Sequence, residues 1–278
     1  MAQIGLTEVS ASSMAVIASI VQDTLKQQSK LLPLVTDYSS QVVPGALSVS
    51  AIRRTQFAAA DKAENTALTA QELTFAADTI SLNKNKAIYA ALERVAALQA
   101  TPNVESEIIM EMAAELALQV DKDIFTEIAL ASAAAPDHRL AFVGASIAQV
   151  DLLAARQLLN VQNVPMDNRY LGIAPDQEAA LLAISDFVRA DAYGSAGGLV
   201  NGEIGRLYGM TVVMSNVFTA ARGYVWHKSA VGFAQQMTPE YSTDVDLKNT
   251  AKEYLLQHIY GAKVLDSGKR QVLLGSAA

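Results

Sequence analysis

Residues 102–132 read PNVESEIIMEMAAELALQVDKDIFTEIALAS and predict one long helix. Apolar side chains recur every four residues from Ile108 to Ile128, which is the spacing of a buried helix face. Thr101 can cap the start of this helix, and Pro102 suits its first position. At about 1.5 Å per residue the helix is about 45 Å long, more than a compact domain needs.

Two segments before this helix predict strands. Residues 46–54 and 73–82 alternate apolar and polar side chains, and residues 57–70 between them are small, polar and turn-like. The sequence therefore predicts a long two-stranded hairpin. Because an isolated hairpin is only marginally stable in water, we expect it to lean on a neighbour.

Residues 1–45 predict an arm. A short amphipathic helix at 16–25 is followed by an extended stretch broken by Pro33. This segment cannot bury itself alone, so we expect it to lie on another surface.

After the long helix, strands and helices alternate. A strand at 140–143 precedes a helix at 146–160, a strand at 170–174 precedes a helix at 175–188, and a glycine-rich loop follows at 193–202. The rest of the chain predicts strands at 203–207, 210–217, 224–237, 255–265 and 271–274.

The composition excludes several classes of protein. The 278 residues are 51% hydrophobic and 18% charged and contain no cysteine, which excludes a disulfide framework and a thiol nucleophile. A net charge of −7 argues against a dedicated nucleic-acid binder. No uncharged apolar run approaches the ~20 residues of a membrane helix, so we expect no membrane partner. So few charges indicate a chain that hides much of its surface in partners.

Ser146 is the strongest candidate for a catalytic residue. It lies between a predicted strand and helix in Gly144-Ala145-Ser146-Ile147-Ala148, where a serine hydrolase carries its nucleophile, and Asp176, Asp186, His227 and His258 follow. The second glycine of that motif is replaced by Ala148. The competing interpretation is that Ser146 caps the helix and pairs with Gln149 in a capping box. We favour the cap.

Other chemistry is not indicated. The glycines between 194 and 209 match neither a dinucleotide nor a P-loop pattern, and the three histidines lack metal-ligand spacing. Asp121 with Asp123, and Asp244 with Asp246, are interpreted as solvated faces or caps. Glu107, Glu111 and Glu115 form an acidic stripe on the long helix, which we expect to face solvent. We predict no cofactor, no metal and no enzymatic activity.

Several stretches carry a family resemblance. Residues 31–37 (LLPLVTD) and 43–45 (VPG), 65–70 (NTALTA) and 117–124 (ALQVDKDI) are similar to the arm, the extended-loop tip and the spine-helix end of the Hong Kong 97-type major capsid proteins of tailed bacteriophages. The more specific stretches resemble the axial domain and closing strands of that family: 169–175 (RYLGIAP), 202–216 (GEIGRLYGMTVVMSN), 227–234 (HKSAVGFA) and 260–265 (YGAKVL).

The resemblance implies an α+β capsid fold with five segments. These are an N-terminal arm at 1–45, an extended loop at 46–90, a peripheral domain with the spine helix at 91–135, an axial domain at 136–223, and closing strands of the peripheral domain at 224–278.

The resemblance also implies a function and partners. The chain would be a major capsid protein that self-assembles through hexamers and pentamers into an icosahedral shell around double-stranded DNA, in the cytoplasm of a host bacterium. We expect a portal protein and a separate scaffolding protein, since only the arm precedes the extended loop. Contacts between subunits are expected at the loop and the glycine-rich segment: Arg53, Arg54, Asp61, Lys62, Glu64, Gly197 and Gly198.

Two alternatives stay open at this stage. A cellular cargo compartment of the encapsulin type shares the fold, and a hydrolase using Ser146 is the remote third reading.

Some capsid relatives also cross-link covalently through a loop lysine and a neighbour's amide. Lys62 and Asn249 are the conceivable pair, and we predict that this cross-link is absent because an exposed lysine is usually a solvated charge.

Overall fold

The computed structural model describes residues 29–54, 57, 59, 61–62, 64–65, 67, 69–93, 104–144, 146–184, 205–246, 248 and 250–275. Those residues form three α-helices: α1 (Val104–Ile128), α2 (Gln149–Val161) and α3 (Glu178–Leu182). The strands are β1 (Thr36–Asp37), β2 (Ser48–Arg54), β3 (Phe75–Ser81), β4 (Lys84–Glu93), β5 (Arg139–Leu140), β6 (Arg169–Ile173), β7 (Arg206–Leu207), β8 (Met210–Met214), β9 (Gly223–His227), β10 (Val231–Asp246), β11 (Ala251–Val264) and β12 (Gln271–Leu274).

A four-stranded sheet carries the long helix. Its strand order is β1-β10-β11-β4, with β10, β11 and β4 antiparallel and β1 parallel to β10. The predicted apolar face of α1 is buried on this sheet, where Leu116, Val120 and Ile124 join Tyr254 and Tyr260 in one core. The four-residue period of the sequence is confirmed as the buried face.

A second, six-stranded sheet has the order β5-β12-β9-β6-β8-β7. One face packs on α2, through a core that includes Leu152 and Leu159. The other face reaches α1 through aromatic side chains: the ring of Phe125 meets that of Tyr224 edge-on at 5.0 Å between centroids. Helix α1 therefore contributes to the cores of both sheets.

Helix α1 is shorter at its end than the sequence predicts. It ends at Ile128, and with 25 residues it is about 37 Å long. Beyond Ile128, the Ser132 amide donates to the Gly268 carbonyl over 3.2 Å. This long-range bond takes the place of the bond that a helix would make to the carbonyl four residues earlier. The predicted caps at Thr101 and Pro102 lie outside the described residues.

Two predicted strands are corrected. The segment 224–237 is not one strand, because a 3-10 turn at Lys228–Ala230 divides it into β9 in the six-stranded sheet and β10 in the four-stranded sheet. The strand expected at 140–143 is limited to β5, since the amide of Val143 donates to the Asp151 carboxylate over 3.2 Å.

Asp121 is not solvated, contrary to the sequence interpretation. Its side chain is buried on α1 and accepts hydrogen bonds from the Ser29 hydroxyl at 2.5 Å, the Lys30 amide at 2.8 Å and the Leu31 amide at 3.1 Å. Burial raises the pKa of Asp121, although these hydrogen bonds oppose the shift. Asp121 thus fixes the start of the described chain to the long helix.

Asp123 is also committed within the fold. It accepts from the Tyr260 hydroxyl at 2.5 Å and lies 3.1 Å from Lys84 Nζ and 3.6 Å from Lys86 Nζ. Burial alone would raise the pKa of Asp123, but the Tyr260 hydroxyl and the two ammonium groups outweigh it and hold the pKa below its usual value. The carboxylate therefore ties α1 to β4 and β11.

The described part of the arm lies on its own subunit. Leu31 and Val35 are buried in the core beside α1, and β1 pairs with β10. The helix expected at 16–25 falls outside the described residues.

His258 is buried in β11 without a hydrogen-bond partner on either ring nitrogen among the described residues. Its ring lies 4.7 Å from that of Tyr260 between centroids and is tilted by 34°. Burial lowers the pKa of His258 to about 4. The unfolded chain takes up this proton near pH 6.5, whereas the folded chain does so near pH 4. Stability is therefore lost as the pH falls through this window.

Replacing His258 by Phe should remove that loss. The wild-type chain should lose up to roughly 3 kcal/mol of unfolding free energy through this group between pH 6.5 and 4, and His258→Phe should have a flatter profile. Denaturant melts across this pH range would measure it. Gln257→Met, on the half-buried opposite face of the strand, should keep the wild-type slope; an identical slope in the Phe variant would contradict the prediction.

Candidate inter-subunit surface

The predicted hairpin is present as β2 and β3. The strands pair antiparallel from Ser48 opposite Ser81 to Arg54 opposite Phe75. Because side chains alternate along a strand, one face carries Val49, Ala51 and Ile80, all buried against the body of the subunit. The hairpin therefore has an inner face that belongs to its own subunit.

The remainder of the hairpin carries apolar side chains that its own subunit leaves exposed. Ile52 is 67% exposed, Phe57 63% and Phe75 61%, with Leu47 and Leu73 exposed as well. Large apolar side chains left exposed together on one element point to an interaction site. We call Leu47, Ile52, Phe57, Leu73 and Phe75 the hairpin patch.

The hairpin is shorter than the predicted segment 46–90. It ends at Ser81, and β4 pairs along its length with β11, from Lys84 opposite Tyr260 to Glu93 opposite Ala251. Residues 84–93 thus belong to the four-stranded sheet. The alternation of side chains continues from β3 into β4, so the sequence pattern does not show where the chain leaves the hairpin.

The predicted contact residues are found in different environments. Asp61, Lys62 and Glu64 are exposed at the hairpin tip. Arg53, in contrast, lies on the inner face, where its guanidinium contacts Asp78 and Asp266 of the same chain. Arg54 ends β2, and its side chain, like Gly197 and Gly198, is outside the described residues.

A second exposed apolar surface lies on α2 and the loops beside it. Val143 is 78% exposed, Val150 61%, Val161 60% and Met166 60%. This surface was not predicted from the sequence. The signal was present, because α2 carries apolar side chains on two faces, and only the face with Leu152 and Leu159 is buried.

Ser146 does not cap the helix, and the candidate triad partners within the described residues are engaged elsewhere in the chain. Helix α2 begins at Gln149, and the buried Asp151 carboxylate accepts from the Ala148 amide at 2.9 Å, so Asp151 performs the predicted capping role. Ser146 is exposed. His227 Nδ1 lies 2.8 Å from the Ser229 hydroxyl, and His258 is buried in the other sheet. Asp176 accepts from the Ala221 amide at 2.6 Å, and Asp186 lies outside the described residues.

Asp151 and Ser146 should differ in how much they contribute to the stability of the subunit. Asp151→Ala should lower the unfolding free energy by about 1–2 kcal/mol, because the partly buried amides of Val143 and Ala148 lose their acceptor. Ser146→Ala should change it by less than about 0.5 kcal/mol, as exposed substitutions usually do. Denaturant melts of the two variants would test this. The reverse order, or ester hydrolysis that depends on Ser146, would contradict it.

The described residues offer no metal site or membrane span. No group of three or more potential ligand side chains is found within that part of the chain. None of its helices is long and apolar enough to cross a membrane. Glu107, Glu111 and Glu115 are exposed along α1, as expected.

Comparison with known proteins identifies the family. A family model described as phage capsid protein matches residues 79–270. The chain belongs to this family. It is a capsid shell protein, which agrees with the resemblance found in the sequence, and the hydrolase reading is not supported. No curated protein matches the chain by sequence.

Solved structures share the fold of this capsid protein. A structure from Mycobacterium phage Che8 superposes with a TM-score of 0.71 at 20% identity, over 89% of this chain and 91% of that one. The capsid of cyanophage P-SCSP1u gives a TM-score of 0.72 at 17% identity, over 88% and 86%. The expected α+β fold of the Hong Kong 97 type is confirmed.

A virus-like particle from Pyrococcus furiosus also shares the fold, with a TM-score of 0.63 at 11% identity over 94% of this chain and 99% of that one. That likeness concerns the fold alone. The family match favours the phage capsid over a cargo compartment.

Proposed function

We propose that this capsid protein is the major subunit of an icosahedral phage shell, in which the hairpin patch of one copy covers a neighbouring copy within hexamers and pentamers. The observation that carries the proposal is the hairpin patch itself, on a strand pair whose other face is already committed to its own subunit. An apolar face that is exposed in one copy is stabilised when a second copy covers it and removes it from water.

The composition supports the same arrangement. A subunit with several buried interfaces needs fewer charges than a free monomer, and 18% charged residues is low against the usual ~25%. The second exposed surface, on α2, provides another contact between copies. Arg54, Asp61, Lys62, Glu64 and the glycine-rich segment with Gly197 and Gly198 belong to the proposed contacts, whereas Arg53 acts within the subunit.

The proposal includes further partners. The shell would enclose double-stranded DNA without sequence-specific binding, since a net charge of −7 disfavours a wall that grips phosphates. A portal protein and a separate scaffolding protein would act during assembly in the cytoplasm of the host bacterium.

Electron microscopy of the purified full-length chain tests the proposal. Closed hollow particles are expected, uniform in diameter when the scaffolding protein is co-produced and variable without it. Particles absent under both conditions would overturn the shell function. Uniform, correctly sized shells from the chain alone would overturn only the need for a scaffold.

Covalent cross-linking is predicted to be absent. Lys62 is exposed at the hairpin tip of the single subunit. Even at a contact between copies a lysine usually keeps its ammonium group in water, while a cross-linking lysine needs a dry site beside a carboxylate. Denaturing gels of mature particles should show one monomer band. A ladder of multimers that disappears in Lys62→Ala would show the opposite. Asn249, the conceivable acceptor, lies outside the described residues.

A further inference from the structure

The base of the hairpin rests directly on the backbone of the four-stranded sheet. A Cβ added to Gly261 of β11 would lie 2.1 Å from the Ser81 carbonyl oxygen, and one added to Gly232 of β10 would lie 2.6 Å from Ile80 Cδ1. At Gly261 the obstacle is backbone, so only glycine permits this close approach. The two glycines therefore let the Ser81 backbone and the Ile80 side chain lie flat on the sheet, which holds the base of the hairpin against it.

A charged contact at the same place is directional. Arg53 on β2 presents Nε at 2.8 Å from Asp78 Oδ2 and Nη2 at 3.3 Å from Asp78 Oδ1, while its Nη1 donates to Asp266 Oδ1. Asp78 on β3 in turn accepts from the Asp266 amide at 2.9 Å. One residue from each hairpin strand therefore holds Asp266, which lies in the turn after β11. A planar guanidinium shared by two carboxylates fixes geometry as well as distance.

The turn that carries Asp266 has a conformation that needs support. Asp266, Ser267 and Gly268 have consecutive positive φ angles of 55°, 52° and 74°. Side-chain-bearing residues rarely adopt this region and persist there only where their surroundings impose it. Here the support comes from the hairpin residues, from Arg270 Nε at 3.3 Å from Asp266 Oδ2, and from the Ser132 amide bonded to Gly268.

The contacts extend to the point where the chain passes between the two sheets. Arg270 Nη1 donates to the Ser229 hydroxyl at 2.9 Å, and Ser229 lies in the turn that separates β9 from β10. The hairpin base, the turn after β11 and this crossing therefore form one connected group.

We infer that Arg53, Asp78 and Asp266 form a latch that sets the direction of the hairpin in the subunit before assembly. The glycine contact and the buried inner face hold the base of the hairpin on the sheet, and the latch fixes the angle at which the two strands leave it. This inference rests on the proposed function, because a fixed angle matters only if the hairpin reaches a neighbouring copy. With the latch broken, the hairpin swings, and copies join at variable angles.

Hydrogen exchange on the unassembled full-length chain tests the latch directly. Arg53→Gln removes the shared guanidinium, and Asp266→Asn removes the charge while keeping a residue that tolerates positive φ. Amides of β2 and β3 should exchange roughly 10-fold faster in both variants, and those of α1 and the six-stranded sheet should be unchanged. In wild type, 1 M NaCl should produce part of the same acceleration, because it shortens the screening length to about 3 Å.

Glu115→Gln is the matched control. It removes an exposed ion pair with Lys122, 3.8 Å apart on α1, and should leave hairpin exchange at the wild-type rate. Wild-type hairpin exchange in both latch variants would overturn the latch. Equal acceleration of α1 would also overturn it, since the three residues would then support the fold as a whole.

Cryo-electron microscopy of assembled particles separates the latch from the proposed function. Faster hairpin exchange together with a broadened distribution of shell diameters supports both. Faster hairpin exchange with an unchanged distribution of shell diameters would show that the latch holds the hairpin in the subunit. It would also overturn the inference that the fixed angle matters for assembly. Because exchange is measured before assembly, a wild-type chain that forms no shells refutes the proposed function independently of the latch result.

Discussion

A chain in which a short Gly-Ser turn replaces residues 55–73 should fold as a soluble subunit and fail to close shells. The deletion removes Phe57 and Leu73 of the hairpin patch and the exposed tip, while the inner face with Val49 and Ile80 remains. Fully burying such a side chain contributes roughly 1.5–3 kcal/mol, and the loss is repeated in every copy of a shell. The two large cores around α1 and α2 are unaffected by the deletion.

Size-exclusion chromatography with light scattering would measure the outcome, with a thermal melt to establish folding. Monomers or isolated capsomers with a cooperative melt are expected. A double variant, Phe57→Ser with Leu73→Ser, keeps the hairpin length and should weaken assembly by itself, which separates apolar contact from reach. Closed shells from the shortened chain would refute the assembly role, and an insoluble product would place the hairpin in the core.

Local periodicity was enough to predict the main elements. The four-residue spacing in 108–128 and the alternation in 48–54 and 75–81 each report one buried face, and a buried face is a property of the segment itself. Both predictions are confirmed by α1, β2 and β3. Arg53 could have been placed as well, because it follows Val49 and Ala51 on the inner face by the same alternation.

Long-range pairing was beyond local patterns. Asp121 and Asp123 read as solvated because their partners, Ser29 and Tyr260, are 92 and 137 positions away in the sequence. The division of 224–237 has the same origin: both halves are apolar, and only the destination of each strand in a different sheet separates them.

The cap of α2 shows a different limit. Ser146 with Gln149 and Ala148 with Asp151 both place an acceptor three residues after a helix start. The sequence favours the serine because serine is the better capping residue. In the structure Asp151 caps the helix, because its carboxylate accepts hydrogen bonds from the amides of both Val143 and Ala148. Among the described residues, Ser146 has no comparable pair of amides to accept from.

The candidate surface was predictable in location more than in detail. Lys62 and its neighbours at the tip are exposed as a turn between strands should be. The apolar side chains of the hairpin patch were not singled out, because apolar residues in a strand are ordinarily taken as core. Exposure of Ile52 and Phe75 follows from the outer face having no cover within the subunit.

Replacing Asp121 by Ala should cost the subunit about 3 kcal/mol of unfolding free energy. The variant leaves the Ser29 hydroxyl and the amides of Lys30 and Leu31 without their acceptor, and leaving a buried donor unpaired costs about 1–3 kcal/mol each, less where water reaches it. A chain of this size should then melt roughly 5–10 °C lower.

The location of the damage makes this prediction specific. Residues 29–31 should lose protection from hydrogen exchange first, while the β10–β11 pair keeps it, because Asp121 contacts the start of the described chain and not the sheet. Ser29→Ala removes one of the three bonds and should cost about 1 kcal/mol. Glu111→Ala, an exposed change on the same helix, should cost less than about 0.5 kcal/mol. An Asp121→Ala variant that melts with the Glu111 control would show that the buried carboxylate does not hold the arm to the helix.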